Sequence, residues 1–293
     1  MAPQQFTSSQ SETLARALGL RRSGNRYIGA CPACSYKDAF QVCAGDQHPL
    51  VFCHACQDTD AVVIALRRRG LWRRSEASAT TNEGAISAAP TRAGLRAREL
   101  WLQAGPAPGS LVESYLRSRG IAVAIPATLR FLAEAKHSPS GLIMPAMIGA
   151  VTLWPDRKPC AIHRTFLAPH GHGKAAVDTA KMTLGPCARG AVRLAEATDR
   201  LMVGEGIETC LAAMQATGQP AWASLSTSGM RRLLLPPHVR DVVILADADA
   251  PGELAAQDAA TRWVREGRRV RIARPPKGKD FNDLLLEPSE SAS

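Results

Sequence analysis

Residues 241–252, Asp-Val-Val-Ile-Leu-Ala-Asp-Ala-Asp-Ala-Pro-Gly, constrain the fold more than any other part of the chain. A short β-branched run bounded by Asp and by Pro-Gly reads as an inner strand of an α/β sheet, with acids at its exit. In such sheets ligand chemistry gathers outside the carboxyl ends of the strands. Asp247 and Asp249 are two apart, so in an extended segment they face the same way and offer acceptors to one hard cation. An Asp-rich turn closing the strand is the competing reading.

Two more segments end in acids. Leu201-Met-Val-Gly-Glu205-Gly-Ile-Glu208 is a short apolar strand with glycines on either side of Glu205, and Lys277-Gly-Lys279-Asp280-Phe-Asn-Asp283 follows the strand-like Arg269-Val-Arg-Ile-Ala273. The pattern predicts strand 200–205, helix 207–217, strand 221–225, strand 241–247, helix 252–266, strand 269–273 and a last helix from about Phe281. Strands alternating with helices imply a parallel sheet. Ser226-Thr-Ser-Gly229 opens a short helix, with capping favoured over a phosphate contact; Trp222 and Trp263 are assigned to the core. The order Glu-Gly, Asp-x-Asp-x-x-Gly, Gly-Lys-Asp-x-Asn-Asp closely resembles the Toprim domain shared by bacterial and phage primases, topoisomerases and some nucleases, over about residues 198–287.

At the other end, Cys31-Pro-Ala-Cys34 and Cys53-His-Ala-Cys56 are two Cys-x-x-Cys knuckles separated by 18 residues. Four thiolates at this spacing suit the closed tetrahedral site of a zinc ribbon, which supplies stability that a small domain lacks. Cys43 reads as a strand residue and His54 as a knuckle-tip side chain, because the four thiolates already fill the tetrahedron. Helices are expected over residues 8–18 and 58–69. Primases of bacteria and phages carry a similar amino-terminal ribbon, often with His at the second position, where this chain has Cys34.

Charge is unevenly distributed. The chain carries a net +10, yet residues 198–293 hold twelve Lys/Arg against thirteen Asp/Glu, whereas residues 94–197 hold thirteen against six. Basic modules beside an acidic site suit a polyanion held by the one while cations screen it at the other, although net charge also serves solubility alone. The sequence divides into a zinc ribbon (1–73), a Ser/Ala/Thr-rich flexible linker (74–93), a basic α+β subdomain (94–197), the Toprim-like domain (198–287) and a tail (288–293). The linker spans roughly 25 Å as a random coil. In the basic part, helices are expected over 95–103 and 110–119 and strands over 141–153 and 160–167. This segment resembles the basic subdomain that precedes Toprim in phage and plasmid primases, which implies that Arg164, Lys181 and Arg193 line a groove for a phosphate backbone or triphosphate. Gly171-His-Gly-Lys174 is no P-loop, since it lacks the leading Gly and a Ser/Thr after the Lys.

No secretory signal opens the chain, and the longest apolar stretch, 142–154, is broken by Pro145, so a cytosolic protein with no membrane role is expected, its eight cysteines reduced or metal-bound. The combined resemblance implies a DNA primase making short RNA primers on single-stranded DNA from nucleoside triphosphates. One structural zinc and catalytic magnesium or manganese are its expected ions. Asp247 and Asp249 would bind metal, and Glu205 would bind metal or act as general base. Glu208, Asp280 and Asp283 would complete the cluster or orient Lys279, which with Arg164, Lys181 and Arg193 would hold nucleotide or template. A separate helicase or initiator is an expected partner, and residence on a mobile genetic element follows by analogy alone. The alternatives are a Toprim nuclease and a catalytically silent nucleic-acid-binding replication or defence factor. A topoisomerase also needs a catalytic tyrosine, and Tyr27, Tyr36 and Tyr115 lie in no evident strand-passage domain.

Overall fold

The computed structural model describes residues 4–33, 35–45, 49–53, 59–72, 91–247, 249–276, 281 and 283, with backbone alone at 4–9, 60 and 61. Residues 73–90, most of the expected linker, and 284–293 lie outside these residues, as do Cys34, His54, Cys56, Lys279 and Asp280. The chain divides into two compact units, 1–88 and 89–293.

In the first unit, α1 (Gln4–Ala17), β1 (Arg21–Ser23), β2 (Arg26–Gly29), β3 (Phe40–Cys43), β4 (Leu50–Cys53) and α2 (Thr59–Arg68) follow in order. The strands form an antiparallel sheet in the order β1-β2-β3-β4. Strand alternation sends Phe40, Val42, Val51 and Cys53 to a core shared with Leu14, Val62 and Leu66, while Leu50 and Phe52 face solvent. Cys43 is a β3 residue, as its place in the sequence suggests.

The second unit is one continuous sheet. It comprises α3 (Arg92–Gln103), β5 (Gly105–Pro106), α4 (Leu111–Ser118), β6 (Leu129–Lys136), β7 (Ile143–Thr152), β8 (Ala161–Phe166), β9 (Lys181–Leu184), β10 (Ala191–Arg193), β11 (Arg200–Gly204), α5 (Ile207–Thr217), β12 (Ala221–Ala223), α6 (Thr227–Arg232), β13 (Asp241–Leu245), α7 (Ala250–Arg265) and β14 (Arg269–Ala273). Strand order is β14-β13-β11-β12-β10-β7-β6-β5, with β8 on the other edge of β7 and β9 beyond it. The run β14-β13-β11-β12 is parallel, and β12 meets β10 antiparallel, so the parallel module is fused edgewise to an antiparallel one. α3 starts at Arg92, where Thr91 accepts the Gly94 N–H, so the last two residues of the expected linker are helical.

β6 has no counterpart in the expected elements. It buries residues on both faces, Leu129 in one core and Leu132 and Ala135 in the other, and its register shifts between Leu132 and Ala135, so the two-residue period by which strands are recognised is lost. The inner parallel strands β11, β12 and β13, covered on both faces, carry apolar runs, whereas β14 at the edge alternates with arginines. One face buries Met202, Leu245 and Ala223 with Leu211 of α5; the other buries Val203, Ile244 and Trp222 with Met230 of α6 and Trp263 of α7. Both tryptophans are core residues, 2 % and 0 % exposed. Among the described residues, no helix is long and apolar enough to cross a membrane.

Candidate active site at the carboxyl ends of the parallel strands

β11 and β13 run parallel with Gly204 level with Leu245, so Glu205 leaves one strand as Ala246 and Asp247 leave the next. Backbone approach here is close. A Cβ on Gly204 would lie 3.0 Å from Cys210 Sγ and 3.3 Å from Leu245 Cβ, so glycine lets α5 turn back tightly after Glu205. The next loop is tied to the same point: Ser224 N–H and Oγ–H donate to the Gly204 carbonyl at 2.8 and 3.0 Å, and Leu225 N–H donates to the Glu205 carbonyl at 3.0 Å. Leu225 holds a left-handed φ of 69°, an uncommon conformation for a residue with a side chain. Ser226 then caps α6 by accepting the Gly229 N–H at 3.0 Å, the capping role expected of it.

Asp249 takes the turn-closing role weighed for it. It closes the β13 turn as the N-cap of α7, its Oδ1 accepting the Gly252 N–H at 2.7 Å, which starts the helix at Ala250, before the expected position 252. A Cβ on Gly252 would come within 2.8 Å of that Oδ1 and 3.2 Å of the Asp247 Cβ, so any side chain here would displace the Asp249 cap.

Electrostatics bind the acids into one group. Burial, then the charges of Asp247 and Asp249, push the Glu205 carboxyl up to about 7, with Arg231 opposing. Arg231 is a cation that sequence reasoning passed over; its Nε–H donates to Asp258 of α7 at 2.7 Å. No group of three His, Cys, Asp or Glu among the described residues stands ready as a metal site. The donor set nonetheless fits a divalent cation: all three are hard oxygen donors, and Glu205 is held toward neutrality by burial and then by the two carboxylates, whose repulsion such an ion would relieve. Asp283 lies among the described residues, partly buried, and Phe281 packs against the core beneath α5.

Glu208 is turned to different partners. It is 6 % exposed, its Oε1 accepts from Tyr115 Oη–H at 2.7 Å and its Oε2 from Lys181 Nζ–H at 2.8 Å. Burial opposes its ionisation, but the Lys181 charge and both hydrogen bonds outweigh that and hold the carboxyl down at about 2. Burial and the adjacent Glu208 push the Tyr115 phenol up.

The three cations expected to line one groove do not share a face of the sheet. Lys181 stands opposite Thr165, on the side of α4 and α5. Arg164 alternates to the other face, 6 % exposed, with its guanidinium 5.6 Å from the Phe166 ring centre, Nη1 donating to the Lys136 carbonyl at 3.3 Å and Nε without a partner. Arg193 stacks on Trp222 at 4.8 Å, with Nε and Nη2 buried and unpaired. Burial lowers both arginine pKa values. Gly171–Lys174 forms a loop closed by a bridge between Leu167 and Lys174, without the helix a P-loop requires.

In the first unit, Cys31 and Cys53 are buried thiols of the same core. Cys31 Sγ accepts the Ala33 N–H at 3.4 Å, and Ser35 takes a left-handed φ of 60°. A backbone N–H aimed at sulfur stabilises a thiolate, so these residues fit a metal knuckle.

Comparison with known families decides what the parallel module is. A Toprim domain model matches residues 200–291. The chain carries a Toprim domain. A domain of unknown function (DUF7146) matches residues 91–194, the module fused to Toprim through β10 and β12. No curated protein matches the chain. Among solved structures, it is similar to the zinc-binding and RNA polymerase domains of the Aquifex aeolicus primase at 14% identity, covering 97% of this chain and 80% of that one with a TM-score of 0.48. The RNA polymerase domain of Mycobacterium tuberculosis primase matches at 16% identity over 67% of this chain and 78% of that one, TM-score 0.42. The primase fragment of the bacteriophage T7 primase-helicase protein matches at 15% identity over 89% and 94%, TM-score 0.40. These likenesses are too distant to carry residue roles across.

Proposed function

We propose that this Toprim protein is a DNA primase, a nucleotidyltransferase that makes short RNA primers on single-stranded DNA. The observation that carries the reading is the acidic group at the ends of adjacent parallel strands, Glu205 beside Asp247 and Asp249, in a Toprim domain built onto one sheet with a basic module. Glu205, Asp247 and Asp249 would hold magnesium or manganese, with Asp280 and Asp283 as further acids. Such ions neutralise the attacking and leaving oxygens of a phosphoryl transfer. Glu205, with its carboxyl near 7, is also able to accept a proton at neutral pH. Lys181, Arg193, Arg164 and Lys279 are assigned to nucleotide or template; Lys181 has the strongest case, because it is partly exposed and Glu208, in the first turn of the helix that follows Glu205, holds it. Cys31, Cys34, Cys53 and Cys56 would hold one zinc, and the ribbon would help select the template, with a helicase or initiator as the recruiting partner.

A Toprim nuclease uses the same acids to activate water. Incubation with single-stranded DNA and magnesium, with and without nucleoside triphosphates, separates the two. Elongated products that need triphosphates support the primase; cleavage without them supports the nuclease.

A further inference from the structure

Glu208 has both oxygens committed, and to two other elements, α4 and β9. We infer that Glu208 is a positioning residue: with Tyr115 it fixes the Lys181 ammonium at the amino-terminal end of α5, where that cation would meet a phosphate of a nucleoside triphosphate. The inference rests on the nucleotidyl-transfer reading and assigns Glu208 a task within it.

The geometry carries it in four steps. A Cβ on Gly206, the neighbour of Glu205, would lie 3.7 Å from Glu208 Oε2, the same oxygen that holds Lys181 Nζ at 2.8 Å. The ammonium therefore stands over the helix start from which Glu205 emerges. Lys181 keeps 35% of its side chain exposed while Glu208 keeps 7%, so the acid is the buried anchor and the cation the presented group. An ammonium has three donors, and Glu208 takes one. His163, on the same face, is driven down to about 3 by burial and by Lys181, so it stays neutral and does not compete for the carboxylate.

α5 is also held at its far end. Gln215 donates to the Gly120 carbonyl at 2.9 Å and accepts the Ala122 and Val123 N–H groups at 2.6 and 3.2 Å. With Tyr115 at one end and Gln215 at the other, α5 cannot shift against the basic module without breaking polar contacts. A buried ion pair brings little net stability over an apolar packing of the same volume, so its value here lies in fixing a position.

The test uses charge-conserving variants of the full chain, because Glu208→Gln would also raise the local positive potential and confuse the sign. Glu208→Asp is one methylene too short to reach both partners, and Tyr115→Phe removes one of the two anchors. Each should weaken magnesium–ATP binding about tenfold by calorimetry, the lower end of the worth of one charge-assisted contact, and raise the ATP KM while primer synthesis at saturation changes by less than about twofold. Lys181→Met should weaken binding at least as much, and adding Glu208→Asp to it should cost nothing further. Thermal melts exclude unfolded variants, and Tyr115→Phe serves if Glu208→Asp fails to fold. If Glu208→Asp and Tyr115→Phe bind ATP as the parent does while Lys181→Met does not, the positioning role is wrong and the nucleotide site stands. Losses that add in the double variant also overturn it. A parent protein that binds no ATP removes the nucleotide reading and this inference with it.

Discussion

Replacing Glu205 by Gln should stabilise the metal-free protein, and the gain should depend on pH. The carboxyl is pushed from 4.5 to about 7 by burial and by Asp247 and Asp249. A folded-state pKa above the unfolded one means that the folded protein binds the proton more tightly. The group is therefore harmless below pH 4.5, costs stability progressively as pH rises from 4.5 to 7, and costs a constant amount above that. The shift corresponds to about 3 kcal/mol at pH 8. For the unit 89–293 that is on the order of 8 °C in Tm. Melts of the parent and Glu205→Gln in chelator, from pH 4.5 to 8.5, should diverge along this curve, and saturating magnesium should close the gap at pH 8 by stabilising only the parent. A Tm difference independent of pH, or one that magnesium leaves open, would refute the electrostatic account of this site.

Other consequences can be measured with simple variants. Lys181→Met strands the buried Glu208 carboxylate and should cost about 3 kcal/mol at pH 7 in urea melts, most of it recovered by adding Glu208→Leu. In the parent, the Glu208 pair has a lowered folded pKa, so its contribution is present above pH 4.5 and is lost as pH falls toward 2. Gly252→Ala drives a Cβ against the Asp249 Oδ1 and should lower stability by about 1–2 kcal/mol through the lost cap and weaken magnesium binding measured by calorimetry. Stripping zinc with a chelator, or Cys53→Ser, should abolish the unfolding transition of unit 1–88 and leave that of unit 89–293 unchanged by calorimetry.

The parallel module was legible in the sequence because its signals are local. β11 and β13 each carry an apolar run that leads into an acid and a glycine, and α5 and α7 follow them, so β11, α5, β13 and β14 fall within two residues of expectation. Small errors arose where a cap decides the boundary, as where Asp249 starts α7 two residues early. What escaped depends on contacts between distant positions. Nothing near Tyr115 announces that it will meet Glu208, 93 positions away, and β6 was hidden by its bulge. The expectation of one cationic groove overlooked strand alternation: Lys181 and Arg164 belong to neighbouring strands but opposite faces.

The most direct test of the central claim is to combine purified protein with single-stranded DNA, labelled nucleoside triphosphates and magnesium or manganese, beside Asp247→Asn and Cys53→Ser, and to resolve the products on a sequencing gel. The account predicts short triphosphate-dependent products from the parent, their loss in Asp247→Asn, and weakened template use in Cys53→Ser. Undiminished synthesis by Asp247→Asn would contradict the metal assignment. No product from a parent that binds DNA tightly and in a salt-sensitive manner would contradict the primase itself and favour an accessory nucleic-acid-binding role.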